Sequence, residues 1–235
     1  MTNVWALDTE TTGFDPEKMG DRIVEIGAVE LDAHRKPTGA IIHEYVDPLR
    51  EVPEGARKVH GKTREDLIEL GNGQTFKNVI PALIEKLKGK TVIIHNAAFD
   101  IRFLDFEFEM HGFPKFSSMC EVFCTFKFAS AKFPGQRNSL DALCKRFGIE
   151  NNDRELHGAL LDSQLLAQVY LSLTREQKKL DFTAATNKQN IGKLVEPITS
   201  TFEIPVYASE VIDEEAHERI IERINKESGG KSLWR

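Results

Sequence analysis

Short β-branched segments open the chain, and helical and strand-like segments alternate after them. The first three strand-like segments follow one another closely, which predicts a meander. Later in the chain, segments with apolar residues at helical spacing alternate with two more strand-like segments of the buried type. This order predicts an α/β domain with a mixed five-stranded sheet and helices on both faces. The strand-like segments are residues 5–8, 22–31, 41–46, 91–95 and 119–123, and the helical ones are residues 63–70, 75–88, 98–111, 139–147 and 159–173.

The pattern changes near Thr174, which divides the chain into three expected parts. Residues 1–176 form the folded domain. Residues 177–202 are predicted to be a flexible linker, because most of them are polar and poorly periodic. Residues 203–235 form a tail, in which residues 213–226 have the apolar spacing of a short helix.

The composition is that of an ordinary globular protein, with 40% hydrophobic and 29% charged residues. No apolar run approaches the ~20 residues that span a bilayer, and the N-terminus has no signal-peptide pattern. The three cysteines are odd in number and lack the spacing of zinc ligands. We therefore expect a cytoplasmic protein with reduced thiols and no membrane partner.

The net charge of −6 is unusual for a nucleic-acid enzyme, because phosphate binding usually needs surplus Lys and Arg. Part of the acidity lies in the tail, where residues 210–227 hold seven acids and three bases. Acids that bind metal ions would also have their charge offset by those ions. If the substrate is nucleic acid, we expect weak intrinsic affinity and a partner that delivers it.

Two acids at the end of the first strand, Asp8 and Glu10, are the first candidates for a site. Residues two apart on a strand project to the same face, where two carboxylates repel each other unless a cation lies between them. The alternative is a pair of solvated acids at a strand end. Asp100 follows the fourth strand, where sites collect in α/β folds, although an acid in a first helical turn also pairs with the helix dipole.

Residues beside these acids are candidates for substrate contacts. Thr11 offers a hydroxyl and an amide to a phosphate or sugar, and Gly13 allows close backbone approach or a positive φ. Phe14 offers a ring on which a terminal base could stack, with a core position as the alternative. Asn96 either hydrogen-bonds the substrate or caps the following helix.

His157 and Asp162 complete the candidate set. His157 is expected in a loop, and Asp162 lies among leucines in the first turns of the last helix, where an acid needs a partner or a metal. Carboxylates without thiolates suit Mg²⁺ or Mn²⁺. Two such ions ~3.5–4 Å apart can clamp the attacking and leaving oxygens in phosphodiester hydrolysis. Imidazole, with a reference pKa of ~6.5, suits the general base.

Three segments together resemble the exonuclease motifs of the DEDD superfamily. They are Asp8–Gly13 (DTETTG), His95–Asp100 (HNAAFD) and His157–Asp162 (HGALLD). The His five residues before the last Asp is similar to the histidine branch of that superfamily. Arg137–Cys144 (RNSLDALC) and Val59–Gly61 (VHG) extend the resemblance to the proofreading epsilon subunits of bacterial DNA polymerase III.

The resemblance implies a ribonuclease H-like fold and a 3′→5′ exonuclease that removes mispaired nucleotides from a single-stranded or frayed 3′ DNA end. His157 would be the general base, and Asp8, Glu10 and Asp162 would hold one of two divalent cations. Asp8 would bridge to the second cation, and Asp100 would not bind the first directly. The catalytic residues would be Asp8, Glu10, Asp100, His157 and Asp162, and the four acids among them would be metal ligands. The substrate contacts would be Asp8, Glu10, Thr11, Gly13, Phe14, His60, Asn96 and Asp162.

The end of the chain resembles segments by which such subunits bind partners. Residues 177–182 (QKKLDF) are similar to the bacterial sliding-clamp motif, in which Leu180 and Phe182 would fill an apolar pocket and Gln177 would bind its edge. The alternative is a frayed helix end folded onto the core. Residues from about 203 onward resemble the tether to the polymerase alpha subunit, and some relatives also bind a small third core subunit. The apolar candidates in the tether are Ile220, Ile224, Leu233 and Trp234.

Two other functions compete with proofreading. An RNA-processing exonuclease of the same branch would use the same chemistry, but those relatives lack this linker and tail. A catalytically silent replisome adaptor would keep the fold alone, whereas this chain has all four acids and the histidine. The sequence therefore favours a proofreading exonuclease.

Overall fold

The structure is a computed structural model that describes residues 3–151 and 156–175. These residues belong to a unit that ends at residue 178. In the described part of the chain, no helix has both the length and the apolar character needed to cross a bilayer. The predicted linker and tail lie outside the described residues, and so do the candidate partner residues Gln177, Leu180, Phe182, Ile220, Ile224, Leu233 and Trp234.

The described residues form a five-stranded mixed sheet, as the sequence predicts. The first three strands pair antiparallel as the expected meander, and the fourth and fifth add in parallel, so that the order across the sheet is third, second, first, fourth, fifth. The first strand continues to Thr11 instead of ending at Asp8, so that Asp8 and Glu10 both lie inside it. The strands are β1 (Val4–Thr11), β2 (Ile23–Leu31), β3 (Pro37–Tyr45), β4 (Thr91–Ile94) and β5 (Glu121–Cys124).

Seven α-helices and one short 3₁₀ helix (Phe116–Ser118) surround this sheet in the described ranges, and the sequence patterns do not predict two of the α-helices, α1 (Glu54–His60) and α5 (Thr125–Lys132). The first has few apolar residues, and it ends at Gly61 in the left-handed region at φ 78°. The second opens with Thr-Phe-Lys-Phe, an alternation typical of a strand. The helices are α1 (Glu54–His60), α2 (Arg64–Leu70), α3 (Phe76–Leu87), α4 (Ala97–Met110), α5 (Thr125–Lys132), α6 (Leu140–Phe147) and α7 (Ala159–Leu173).

The central strand β1 is buried on both faces of the sheet. Trp5 and Leu7 pack in a cluster with α3 and α4, whereas Ala6 packs in a second cluster with α6 and α7. Because successive side chains of a strand alternate between faces, helices cover both sides as predicted. This double burial holds the carboxyl end of β1 in a fixed position.

The start of α7 lies directly against the sheet at Gly27 of β2. A Cβ atom at Gly27 would come within 2.3 Å of the backbone of Ala159 and Leu160, so only glycine fits there. The hydroxyl of Ser163 donates to the carbonyl of Gly27 at 2.7 Å. This close approach places Asp162 beside the end of β1.

Candidate active site

The five residues predicted to be catalytic line one cavity of about 360 Å³. The end of β1, the first turn of α4 and the start of α7 meet at this cavity, which we call the acidic cavity. Thr9, His95, Asn96, Phe99, Ser139, Leu140 and Asp141 complete its lining. The residues that the cavity brings together from separate parts of the chain are Asp8, Glu10, Asp100, His157 and Asp162.

The tightest cluster in the acidic cavity consists of Glu10, His157 and Asp162. One potential ligand atom of each lies within 4.8 Å of the other two. Nδ1 of His157 is 3.4 Å from Oδ2 of Asp162, an ion-pair distance. Both acids are buried, but the His157 side chain is 46% exposed, so that water reaches the imidazole.

The surroundings of Glu10 destabilise the ionised form of its carboxyl group. Burial, and after it the charge of Asp162, raise the pKa of Glu10 to about 7. Glu25 adds to this effect, because it is the direct cross-strand partner of Glu10 in the β1–β2 ladder. A cation bound among these oxygens would relieve the repulsion and restore the charged form.

Asp100 is buried against the middle of β1. Its Oδ1 accepts a hydrogen bond from the hydroxyl of Thr9 at 2.7 Å. Burial raises the pKa of Asp100 to about 7, and the Thr9 hydroxyl opposes that shift in part. Asp100 does lie in the first turn of α4, as the dipole alternative requires, but its carboxyl also lines the acidic cavity.

The donor set fits divalent cations of the hard class. Carboxylate oxygens with one nearby imidazole are the ligands that such cations take in proteins, and buried carboxylates with raised pKa values need a positive charge. Among the described residues, Glu10, His157 and Asp162 are the one group with ligand spacing. Asp8 and Asp100 line the same cavity and would enlarge that group.

Because of Glu10, the metal-free protein is expected to lose stability as the pH rises. Its pKa in the folded state, about 7, exceeds the ordinary 4.5, so the folded state holds the proton longer and loses stability as pH rises between these values. That loss amounts to about 3 kcal/mol. In EDTA, the Glu10→Gln variant should therefore gain unfolding free energy over the wild type at pH 8, and less or none at pH 5. Urea unfolding at the two pH values measures this difference.

Glu69→Gln, on the exposed surface of α2, is the matched control for this substitution. It should leave the difference in unfolding free energy between the two pH values unchanged. A Glu10→Gln protein that is less stable than the wild type at pH 8 would contradict the electrostatic description of the site.

A second cavity, of about 590 Å³, adjoins the acidic cavity and shares Thr9, Glu10 and Phe99 with it. Apolar groups, among them Val59 and Phe99, make up much of its lining. Five predicted substrate contacts line this second cavity: Glu10, which lines both cavities, and Thr11, Gly13, Phe14 and His60. The other three, Asp8, Asn96 and Asp162, line the acidic cavity.

Phe14 is 81% exposed, which excludes the core position that was its alternative. The loop that carries it is held by Asp21, a buried acid that sequence reasoning missed. A Cβ atom at Gly13 would come within 2.3 Å of the Asp21 carboxylate, so Gly13 serves close approach rather than a positive φ. Asp21 also accepts from the amide of Asp15 at 3.1 Å and pairs with Arg50 at 3.1 Å.

Asn96 and His95 occupy the turn between β4 and α4. Asn96 is the residue before the helix, in the left-handed region at φ 57°, yet its side chain makes no capping hydrogen bond. Nδ1 of His95 lies 2.9 Å from the hydroxyl of Thr125, and burial lowers the pKa of His95 to about 4. A neutral imidazole therefore lines the acidic cavity. The signal for it was present, since His95 opens the HNAAFD segment.

Comparison with known proteins identifies related chains. The family model RNase_T, described as an exonuclease, matches residues 5–170. DNA polymerase III subunit epsilon of Salmonella typhimurium is 40% identical over 245 residues, which cover 100% of this chain and 98% of that protein. The subunit of the same name from Rickettsia prowazekii is 45% identical over 170 residues, 72% of each chain. Exonuclease X, solved in complex with 5′-overhanging duplex DNA, has 26% identity and a TM-score of 0.56 and covers 74% of this chain and 90% of that chain.

Proposed function

This chain belongs to the exonuclease family of DNA polymerase III epsilon subunits, and from that premise we propose a two-metal-ion mechanism for its 3′→5′ proofreading with His157 as general base. It is a metal-dependent DNA exonuclease. The observation that carries the mechanism is the meeting of four acids and one histidine in the acidic cavity. The family also decides against the RNA-processing and adaptor alternatives.

Mg²⁺ or Mn²⁺ ions would be held by the acids of the acidic cavity. Asp8, Glu10 and Asp162 would hold one ion, and Asp8 together with Asp100 would help to hold the second. When bound, the two ions would orient the attacking water and neutralise charge on the phosphate and the leaving oxygen. Glu10 and Asp100, whose pKa values are raised to about 7, would then ionise.

His157 takes the proton of the attacking water. Its Nδ1 lies beside Asp162, which orients the ring and favours the imidazolium that proton transfer creates. Nε2 is the atom that accepts the proton. The water oxygen forms a bond to the phosphorus of the last phosphodiester as the bond to the 3′ oxygen of the preceding nucleotide breaks, and that oxygen takes up a proton from solvent. The products are a nucleoside 5′-monophosphate and a strand shortened by one residue.

The second cavity, which we call the nucleotide cavity from this point on, takes the terminal nucleoside. Its apolar lining suits a base, the exposed ring of Phe14 suits stacking, and the polar groups of Thr11 and His60 suit the sugar. A base enters such a cavity only after it has left its pair and its stack. Unpairing costs least for a mismatched base, which favours removal of mispaired ends.

Partner proteins deliver the 3′ end of the DNA to this enzyme. The relatives are named as subunits of DNA polymerase III, and association with that polymerase explains how an enzyme with a net charge of −6 finds DNA. A linker of ~20 residues gives millimolar effective concentration without strong DNA binding. The alpha subunit and the sliding clamp are the proposed partners, a small third core subunit is a further candidate, and the cytoplasm is the proposed compartment.

Two variants of the tail should separate the two partners in one pull-down experiment. Deletion of residues 203–235 should release the alpha subunit and keep the clamp, because only the tether is lost. Replacement of Gln177, Leu180 and Phe182 by Ala should release the clamp and keep the alpha subunit. Each variant is the control for the other, and both should hydrolyse short single strands at the wild-type rate.

Either segment is wrongly assigned if its variant still co-purifies with the expected partner at the wild-type level. A deletion variant that also loses hydrolysis of short single strands would contradict the independence of the folded domain.

A further inference from the structure

The turn that follows α1 holds His60 in one orientation. Its middle residue, Gly61, has φ 78°, which folds the chain back on itself. The backbone N–H of Lys62 then donates to Nδ1 of His60 at 3.3 Å, and Nζ of Lys62 donates to the carbonyl of His60 at 3.1 Å. Both ends of Lys62 therefore contact His60.

Lys62 is anchored to the sheet through its ammonium group. Nζ lies 3.2 Å from Oε2 of Glu25 on β2 and 5.3 Å from the ring centroid of Tyr45 on β3. The Lys62 side chain is 19% exposed and that of Glu25 only 2%. Burial opposes the charge of Glu25, but His43 and Lys62 together hold the pKa of this carboxyl below its ordinary value. The ammonium thus ties the turn to a buried carboxylate.

His60 presents a buried donor to the nucleotide cavity. Since Nδ1 accepts a hydrogen bond, a neutral ring carries its proton on Nε2. Burial, and after it the charge of Lys62, lower the pKa of His60 to about 4, so the ring is neutral near pH 7. The residue is 2% exposed, and Nε2 has no hydrogen-bond partner among the described residues. A buried donor of this kind normally has a partner.

We propose that Lys62 is a positioning residue for substrate binding: it ties the turn to Glu25 and so holds His60 with Nε2–H available to the 3′-terminal nucleoside. This inference rests on the proposed function, because that function places the terminal nucleoside in the nucleotide cavity. Lys62 acts through His60 and touches neither the phosphate nor the water. The backbone N–H of His157 donates to the carbonyl of Val59, the residue before His60, at 3.0 Å, so an unchanged kcat in the test below shows that His157 has kept its place.

The test is the Lys62→Met variant, which keeps an unbranched apolar side chain and removes the ammonium. With the p-nitrophenyl ester of thymidine 5′-monophosphate as substrate and Mn²⁺ as metal, KM should rise about fivefold and kcat should change less than about twofold, because one ground-state hydrogen bond is weakened. Lys62→Arg, which keeps the cation, should restore much of the loss. Lys58→Met is the matched control, because the exposed Lys58 side chain on α1 pairs with the exposed Glu54 side chain, at 2.8 Å.

A second readout is independent of catalysis. Nitrogen-15 shifts of the His60 ring in the full-length protein should show a neutral Nε2–H tautomer in the wild type and a mixture of tautomers in Lys62→Met. Unchanged ring shifts and unchanged KM would overturn the role of Lys62. If the wild type fails to hydrolyse the ester, the proposed function is wrong, while the ring shifts still decide whether Lys62 sets the tautomer of His60.

Discussion

Asp162→Asn is expected to lower the turnover of a 3′-terminal nucleotide by about a thousandfold or more, since it removes a charge aimed at the bound cations. Asp162 is buried, and its carboxylate lies within 4.8 Å of ligand atoms of Glu10 and His157. An amide of the same shape cannot neutralise a divalent cation. Hydrolysis of a chromogenic ester of thymidine monophosphate in Mg²⁺ measures the loss.

The matched control is Asp141→Asn, which changes an exposed acid at the rim of the same cavity. Its loss should stay below about tenfold, because long-range charge alone contributes little where water screens it. Asp162→Asn should also fold normally, since one of the mutually repelling acids is gone. Equal losses in the two variants would show that overall charge, and not the ligand cluster, supports turnover.

His157→Gln is expected to lower turnover by about 10²–10⁴-fold, the usual contribution of a general base. The rate of the wild-type enzyme should rise with pH along an acid limb, because only the neutral imidazole accepts a proton. The variant should lose that limb, as measured by kcat between pH 5.5 and pH 9 with Mn²⁺ present at saturation.

The position of His157 also allows a competing role as a metal ligand, because it lies within ligand distance of Glu10 and Asp162. Mn²⁺ affinity separates the two roles by calorimetry. If His157 is the general base, the Mn²⁺ affinity of His157→Gln should stay close to that of the wild type. If His157 is a metal ligand, that affinity should fall at least about tenfold. Weakened Mn²⁺ binding with an unchanged acid limb would contradict the assignment of His157 as the base.

Local patterns predicted the sheet, and short spacings picked out the five candidate catalytic residues that meet in the acidic cavity. Asp8 and Glu10 are two apart on a strand, and Asp162 is an acid among leucines at the start of an amphipathic helix. The order of strands and helices was sufficient for the mixed sheet. The short α1 escaped detection because its sequence has no apolar face, although it carries His60.

The surroundings of the candidate catalytic residues depend on pairings that no local pattern contains. Glu25 stands opposite Glu10 only in the register of β1 and β2. Lys62 reaches Glu25 only because Gly61 reverses the chain. Asp21 lies under Gly13 through a contact across a loop. A signal was available for Glu25, since it sits between the apolar residues Val24 and Ile26 of a strand.

The most direct test of the central claim follows a 5′-labelled primer with a mispaired 3′ end, incubated with the wild-type protein and with Asp162→Asn, in Mg²⁺ and in EDTA. We predict that the wild type shortens the primer one residue at a time from the 3′ end, releases nucleoside 5′-monophosphates, and acts faster on the mispaired than on the paired end. Mg²⁺ should be required, and Asp162→Asn should leave the primer intact. Shortening that persists in EDTA or in the variant would contradict the claim.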